Sequence, residues 1–333
     1  MLNCALIGIG GLGKGCHLPY LVKREEFNLV ALCDIRKETL FSQEKINLDV
    51  AEFSINPDDY NFYTDYKEMI EKEDLDLVVI VVPTFLHSEM TVYALNHGIN
   101  VFCEKPMALT EEETQAMIDA AEKNGKQLMI GQVLRFYEEY NVLKDLVDSK
   151  KYGEVVKAEF TRCSPKALWG WEKWYQDEKL SGGAALDLHV HDVDMVNWLF
   201  GMPNAVASTR TDCFTNYESI TTKYIYDDNK VVTTVGDWGY PSKFAFNAGF
   251  KVRFEEAALI YEGGKLLLLT DEEKTDLTPA KPIDPYCQEV LEFAKCIEAN
   301  KPCEKNPATD SALSLKIAIA EKKSAELKQI VEL

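Results

Sequence analysis

The stretch Gly182-Gly183-Ala184-Ala185-Leu186-Asp187-Leu188-His189-Val190-His191-Asp192-Val193-Asp194 holds two imidazoles and three carboxylates between positions 187 and 194. Groups of these types can take up, hand on and stabilise protons and charge. No proline interrupts residues 184–202, so a helix is permitted, with Gly182 and Gly183 just before it and Gly201 just after. At about 100° per residue, His191 lies at about 40° from Asp187, Asp194 at about −20° and Trp198 at about 20°. One stripe therefore carries two carboxylates, an imidazole and an indole. An apolar stripe would be ordinary core packing, whereas this one needs partners wherever it is buried. Taken alone, the spacing reads as a solvated polar face. The pair His189 and His191 suggests a metal, but residues two apart on a helix point about 200° from each other and cannot share an ion. With no Cys or His cluster elsewhere in the sequence, the expectation is no metal site.

At 333 residues the chain is long enough for two domains. The composition, 46% hydrophobic, is globular. The longest apolar run, Leu77 to Val82, is far short of a membrane span, and Met1-Leu2-Asn3-Cys4-Ala5 lacks the basic-then-apolar pattern of a secretory signal. Nine cysteines are scattered without a CxxC pair, and Cys4, Cys33 and Cys103 fall in apolar strand-like runs, as in a reduced cytoplasmic protein. The net charge of −19 excludes the basic footprint that nucleic acids and anionic membranes require.

The elements that must position the chemistry begin at the N-terminus. Residues 3–7 form a short apolar strand that runs into Gly8-Ile9-Gly10-Gly11-Leu12-Gly13, a GxGxxG turn. Its glycines permit a tight turn, close backbone approach to a pyrophosphate and close helix–strand packing. Alone the pattern is weak. Here a strand precedes it, a helix-compatible stretch follows, and Leu29 to Asp34 is a second buried strand ending in a carboxylate, 21 positions after Gly13. Asp34, with Ile35 and Arg36 behind it, suits the adenosine ribose hydroxyls and would repel the 2′-phosphate of NADP. NAD is therefore preferred, and Arg36 leaves NADP open.

Strand and helix then alternate through Asp76 to Val82, residues 86–97, Asn100 to Cys103, a helix starting at the capping sequence Thr110–Glu113, and Lys126 to Ile130. In such sheets ligands bind outside the carboxyl ends of the strands, so Pro83, Thr84, His87, Glu104 and Lys105 should line the site, with a helix-surface role for His87 equally open. After residue 131 one helix (134–149) precedes period-2 strands at Val155 to Cys163, Ala205 to Cys213, Ser219 to Tyr226, Val231 to Gly239 and Phe246 to Phe254. Residues 227–230 and 262–265 read as hairpin turns, and helices over roughly 285–299 and 309–329 close the chain. Boundaries of 1–131 and 132–333 follow: a Rossmann-type domain, then an α+β domain on a large, mostly antiparallel sheet. Trp169, Trp171, Trp174 and Tyr175 sit in a loop where they serve either the core or the wall of a substrate pocket, with Trp174 the candidate substrate contact. Gln132 and Arg135 either touch substrate or only start a helix.

These residues together resemble the Gfo/Idh/MocA oxidoreductases, the group of inositol dehydrogenase and glucose–fructose oxidoreductase. The resemblance runs through the glycine turn, His17-Leu18-Pro19, Pro83-Thr84-x-x-His87, Cys103-Glu104-Lys105-Pro106, Asp187-x-x-x-His191-x-x-Asp194 and the tail Ser311 to Leu327, nearly the whole length. It implies a Rossmann domain followed by a domain whose open sheet mediates dimer or tetramer contacts. It also implies Lys105, Asp187 and His191 beside the reacting carbon, Glu104 near the nicotinamide ribose, and a cis bond at Lys105–Pro106. Where many members carry glycine, this chain has His189, which would narrow the pocket.

The chemistry of the residues agrees. Imidazole titrates near about 6.5, so His191 can accept a hydroxyl proton as hydride leaves the same carbon. Lys105 offers positive charge where alkoxide develops, and Asp187 can orient substrate or stabilise the imidazolium. Asp194 reads as structural. The sequence thus points to an NAD-dependent dehydrogenase of a polyol, cyclitol or sugar-derived hydroxyl. An NAD-retaining glycosidase and a redox-inactive NAD/sugar sensor on the same fold are the alternatives.

Overall fold

Continuous apolar runs can be buried only in a sheet covered on both faces. Strands β1 (Leu2–Ile7), β2 (Phe27–Cys33), β3 (Asn61–Tyr63), β4 (Leu77–Ile80), β5 (Asn100–Glu104) and β6 (Leu128–Gly131) form such a sheet, all parallel, in the order β3-β2-β1-β4-β5-β6. Leu6, Val78, Val79, Phe102 and Met129 at its centre are fully buried. Helices α1 (Leu18–Lys23), α2 (Tyr66–Lys72), α3 (His87–Asn96) and α4 (Glu111–Asn124) make the crossovers. The strand order reverses between β1 and β4, the point where sheets of this kind take ligands. The computed structural model describes residues 1–41, 53–280 and 283–333. Within them the chain gathers into two units, the first made of Met1–Gln132, Trp169–Trp171 and Asp284–Ala312, and the second of Val133–Leu168, Glu172–Ile283 and Leu313–Leu333.

The second unit starts with a 3-10 turn (Val133–Phe136) and α5 (Glu138–Ser149), so the helix expected over 134–149 is broken near its start. Then comes β7 (Val155–Pro165), which alternates strictly: Ala158, Phe160, Arg162 and Ser164 are buried while Lys157, Glu159 and Thr161 are not. The short helices α6 (Glu178–Ser181) and α7 (Ala184–Asp187) lead into α8 (Val190–Phe200). The single helix expected from 184 is divided at Leu188 and His189. The Leu188 and His189 amides both donate to Ala184 O, at 3.1 and 2.8 Å, which widens the turn without reversing it.

Strands β8 (Ala205–Thr211), β9 (Ser219–Ile225), β10 (Val231–Tyr240), β11 (Asn247–Phe254), β12 (Ala258–Glu262), β13 (Lys265–Leu269) and β14 (Lys274–Asp276) follow. The expected turns at 227–230 and 262–265 do join antiparallel neighbours. Helices α9 (Pro285–Ala299) and α10 (Ala308–Leu327) and strand β15 (Val331–Glu332) end the chain. The sheet order is β14-β13-β12-β11-β7-β10-β9-β8-β15, antiparallel throughout except where β7 meets β10. The whole of α9 belongs with the first unit, a return that a single boundary at residue 131 does not anticipate.

Among these elements α4 carries a complete capping box: Thr110 Oγ1 accepts the Glu113 amide at 3.2 Å and the Glu113 carboxylate accepts the Thr110 amide at 3.1 Å. Thr110→Ala should therefore lower the unfolding free energy by about 1 kcal/mol in urea titrations, and an unchanged midpoint would show that the cap adds nothing.

Candidate active site

Four strands of the first unit deliver the expected residues at their carboxyl ends. Gly8 follows β1 with φ +91°, and a Cβ there would stand 2.1 Å from Val81 O; a Cβ on Gly13 would stand 2.1 Å from Gly8 O. Both positions require glycine. Ile9 is buried beneath the turn, whereas Gly10, Gly11 and Leu12 remain partly open. Asp34 follows β2, half-buried, its carboxylate accepting the Ile9 amide (2.9 Å) and the Arg36 amide (2.9 Å). It is thereby fixed beside the glycine turn, while the Ile35 side chain stands out in solvent. A backbone turn that tolerates no side chain, opposite an oriented carboxylate, fits a dinucleotide.

Pro83 follows β4 and is half-exposed, but Thr84 and His87 are buried. His87 is buried, not a helix-surface residue. Its Nδ1 lies 2.8 Å from Pro106 O and its Nε2 2.8 Å from Val82 O, so it ties the end of β4 to the turn after β5. Burial holds its imidazole below the ordinary value. That turn contains the expected cis bond at Lys105–Pro106, with Lys105 half-buried. Glu104 ends the strand before this turn. It is 4% exposed, its Oε1 lies 2.6 Å from His17 Nε2 and its Oε2 accepts the Lys105 amide at 3.1 Å, so its carboxylate braces the turn from inside. Beneath it Glu289 of α9 is fully buried, and burial, then the neighbouring Glu104, raises its carboxyl well above the ordinary value. The donor atoms of His17, Glu104 and Glu289 lie within 4.8 Å of one another. Sequence reasoning missed this cluster, because Glu289 lies 185 positions beyond Glu104 and reads as one more acid on an amphipathic helix.

In the second unit the polar stripe is not a solvated face. Asp194 is buried and bound bidentately by Arg135, at 2.9 and 2.8 Å, with Ser314 Oγ donating to it at 2.9 Å. Asp192, also buried, is bound by Arg162 of β7 at 2.9 and 3.2 Å. His189 is buried as well and so does not narrow a pocket. From Ser181 to Asn197, only Asp187 and His191 escape burial. The segment before them is anchored where the Ala184 amide donates to Tyr217 O (2.9 Å) and the Gly183 amide to Ser181 Oγ (3.0 Å).

The other three expected substrate contacts, Arg135, Trp174 and Gln132, are buried. Arg135 is fully buried with its guanidinium bidentate on Asp194. Trp174 is 8% exposed and stacks on Tyr175 at a centroid distance of 4.0 Å, so it backs that ring rather than presenting its own face. Gln132, at the end of β6, is 1% exposed, and neither atom of its amide has a hydrogen-bond partner.

Residues 2–132 match the description "Oxidoreductase family, NAD-binding Rossmann fold" and residues 140–255 match "GFO/IDH/MocA C-terminal domain". The chain belongs to the GFO/IDH/MocA oxidoreductase family. Its first unit is the family's NAD-binding Rossmann fold. It is 30% identical over 200 residues to inositol 2-dehydrogenase of Salmonella typhimurium, covering 60% of this chain and 54% of that protein. It is 30% identical over 213 residues to 2,7-anhydro-N-acetylneuraminate hydratase of Mediterraneibacter gnavus, covering 62% and 51%. The chain spans about half the length of the curated relatives it matches. The crystal structure of myo-inositol 2-dehydrogenase from Lactobacillus plantarum superposes with a TM-score of 0.80 at 25% identity, over 100% of this chain and 99% of that one.

His87 makes the first unit sensitive to acid. Its folded pKa is depressed, so below the ordinary value of about 6.5 the unfolded chain binds the proton more readily and stability falls with pH. Between about pH 7.5 and about pH 5.5, His87→Gln should lose less stability than wild type in urea unfolding; an equal loss would assign the sensitivity elsewhere.

Proposed function

We propose that this chain is an NAD-dependent dehydrogenase that transfers hydride between nicotinamide and a secondary hydroxyl or ketone of a polyol, cyclitol or sugar-derived substrate. One observation carries the reading. In a stretch where every other polar side chain is buried, Asp187 and His191 alone keep an open face. Burial has sorted five similar groups into three that hold the fold and two that are left for chemistry.

NAD, when bound, is the hydride acceptor. Gly8, Gly10 and Gly13 would let the backbone approach its pyrophosphate, and Asp34 would take the ribose hydroxyls and disfavour an added phosphate. His191 accepts the hydroxyl proton. Lys105 sets positive charge against the developing alkoxide, which favours the transition state over the neutral alcohol. Asp187, four residues before His191 and one helical turn away in sequence, orients substrate or steadies the imidazolium. The names of the relatives, inositol 2-dehydrogenase and D-glucoside 3-dehydrogenase, support a cyclic polyol or sugar. Retention of the lysine, aspartate and histidine speaks against a sensor, and the dehydrogenases among the relatives speak against an NAD-retaining glycosidase.

The reading extends to assembly and compartment. A homodimer or homotetramer would form through the face of the second sheet that presents Thr221, Lys223, Lys251 and Arg253, and sedimentation equilibrium finding a monomer would refute it. All nine cysteines are free, which suits a reducing cytoplasm, and among the described residues no helix is long and apolar enough to cross a membrane. Cell fractionation that recovers the protein elsewhere would refute the cytoplasmic assignment.

Purified protein should form NADH from NAD with at least one member of a panel of inositols, aldoses, sugar acids and amino-sugar derivatives, and more slowly or not at all with NADP. Lys105→Met should abolish turnover and leave the NAD dissociation constant within about twofold. A variant that turns over at the wild-type rate removes Lys105 from the mechanism. Silence of the wild type across the panel, with NAD retained in native mass spectrometry, transfers the reading to the glycosidase or the sensor.

A further inference from the structure

His189 has no place in the chemistry above, yet the second unit is built around it. Its side chain is fully buried, as are Thr234 of β10 and Glu321 of α10. The ring nitrogen Nε2 stands 3.0 Å from Thr234 Oγ1 and 3.1 Å from Glu321 Oε2, and Thr234 Oγ1 in turn stands 2.9 Å from the hydroxyl of Tyr224 on β9. Gly236 on β10 makes the space: a Cβ there would meet His189 Nδ1 at 2.7 Å. The backbone of the same residue begins α8, because His189 O accepts the amides of Asp192 at 3.0 Å and Val193 at 3.1 Å. At such a position the side chain ordinarily folds back to cap the helix. Here it makes no cap bond and runs into the core instead.

We propose that His189 is a positioning residue for His191. The inference rests on the reading of His191 as proton acceptor. Residues two apart at the start of a helix point about 200° from each other, so a ring locked inward at 189 directs the ring at 191 outward. An apolar side chain could fill the same space. It could not fix direction, and it would leave the Glu321 carboxylate buried without the imidazole that faces it. The contact joins β10, α10 and the residue that starts α8, and so anchors that turn ahead of the Asp192 and Asp194 ion pairs.

Three variants test this in the full chain: His189→Ala, His189→Gln, whose amide can replace Nε2, and Gly236→Ala, which keeps the imidazole but pushes it out of place. The readouts are kcat, KM, the NAD dissociation constant, and the NMR signal of the His191 ring, identified among five histidines by its loss in His191→Asn. His189→Ala and Gly236→Ala should each lower kcat by about tenfold or more, leave NAD affinity unchanged and shift the His191 signal. His189→Gln should restore kcat to within about threefold of wild type and return the signal. If His189→Ala melts lower but keeps wild-type kcat per folded molecule and an unmoved His191 signal, the residue only holds the fold and the proposal falls. Should His189→Ala not fold, Gly236→Ala and His189→Gln decide the matter by the same two readouts. If the wild type makes no NADH at all, the dehydrogenase reading fails separately, and the ring signal still answers whether His189 places His191.

Discussion

Taking a carboxylate out of water is the most costly step in laying down α8, and the rest of the second unit is arranged to meet that cost. Asp192 and Asp194 are both fully buried, and each meets a guanidinium in bidentate geometry: Arg162 from β7, and Arg135 from the 3-10 turn that opens the unit. A buried ion pair of this kind need not exceed apolar packing in energy, but losing one partner leaves an uncompensated charge in the core. The helix is therefore held at one rotation. Asp192 and Asp194 are turned inward, and between residues 190 and 197 His191 alone keeps a partly open face.

The first unit meets the analogous problem with single imidazoles and backbone groups. The turn that carries Lys105 is bounded by His87, which faces Pro106 O, and by Glu104, which receives the Lys105 amide and faces His17. Neither residue is placed to present its side chain outward, and both act on the lysine through the main chain. The glycine turn works the same way in reverse: Gly8 and Gly13 contribute by having no side chain to obstruct a neighbour's carbonyl. Residue types that look chemical in sequence are thus divided between groups that react and groups that hold reacting groups still.

That division marks how far the sequence was legible. The parallel sheet, its glycine turn and Asp34 could be read because each depends on residues close together: an apolar run, a fixed spacing, a strand end. Lys105, Asp187 and His191 were legible as types in a pattern. The burial of the stripe was not, because a helical wheel gives the angle of a side chain but not what it meets. Arg135 and Arg162 lie 59 and 30 positions before their partners, and nothing local marks either as other than a surface arginine. The same holds for His87, whose partners are backbone oxygens that no composition reveals. β3 spans only Asn61–Tyr63, and α9 looks like any amphipathic helix until Glu289 is seen under Glu104. Sequence spacing picks out these residues but not what surrounds them.

The parallel pairing of β7 with β10 has a consequence for how the chain is made. β7 lies at the middle of the nine-stranded sheet, flanked by β10 and β11, and its register partners run from Val231 to Phe254. On a ribosome β7 emerges first and must wait for some seventy further residues before either neighbour exists (Val155 pairs with Phe254, Lys157 with Val231). During that interval its eleven residues offer two unpaired edges, with Ala158 and Phe160 uncovered, the condition that favours pairing with another chain. Synthesis of the second unit is therefore exposed at its own centre until the chain has grown to between Val231 and Phe254, and the need for a chaperone would be concentrated there.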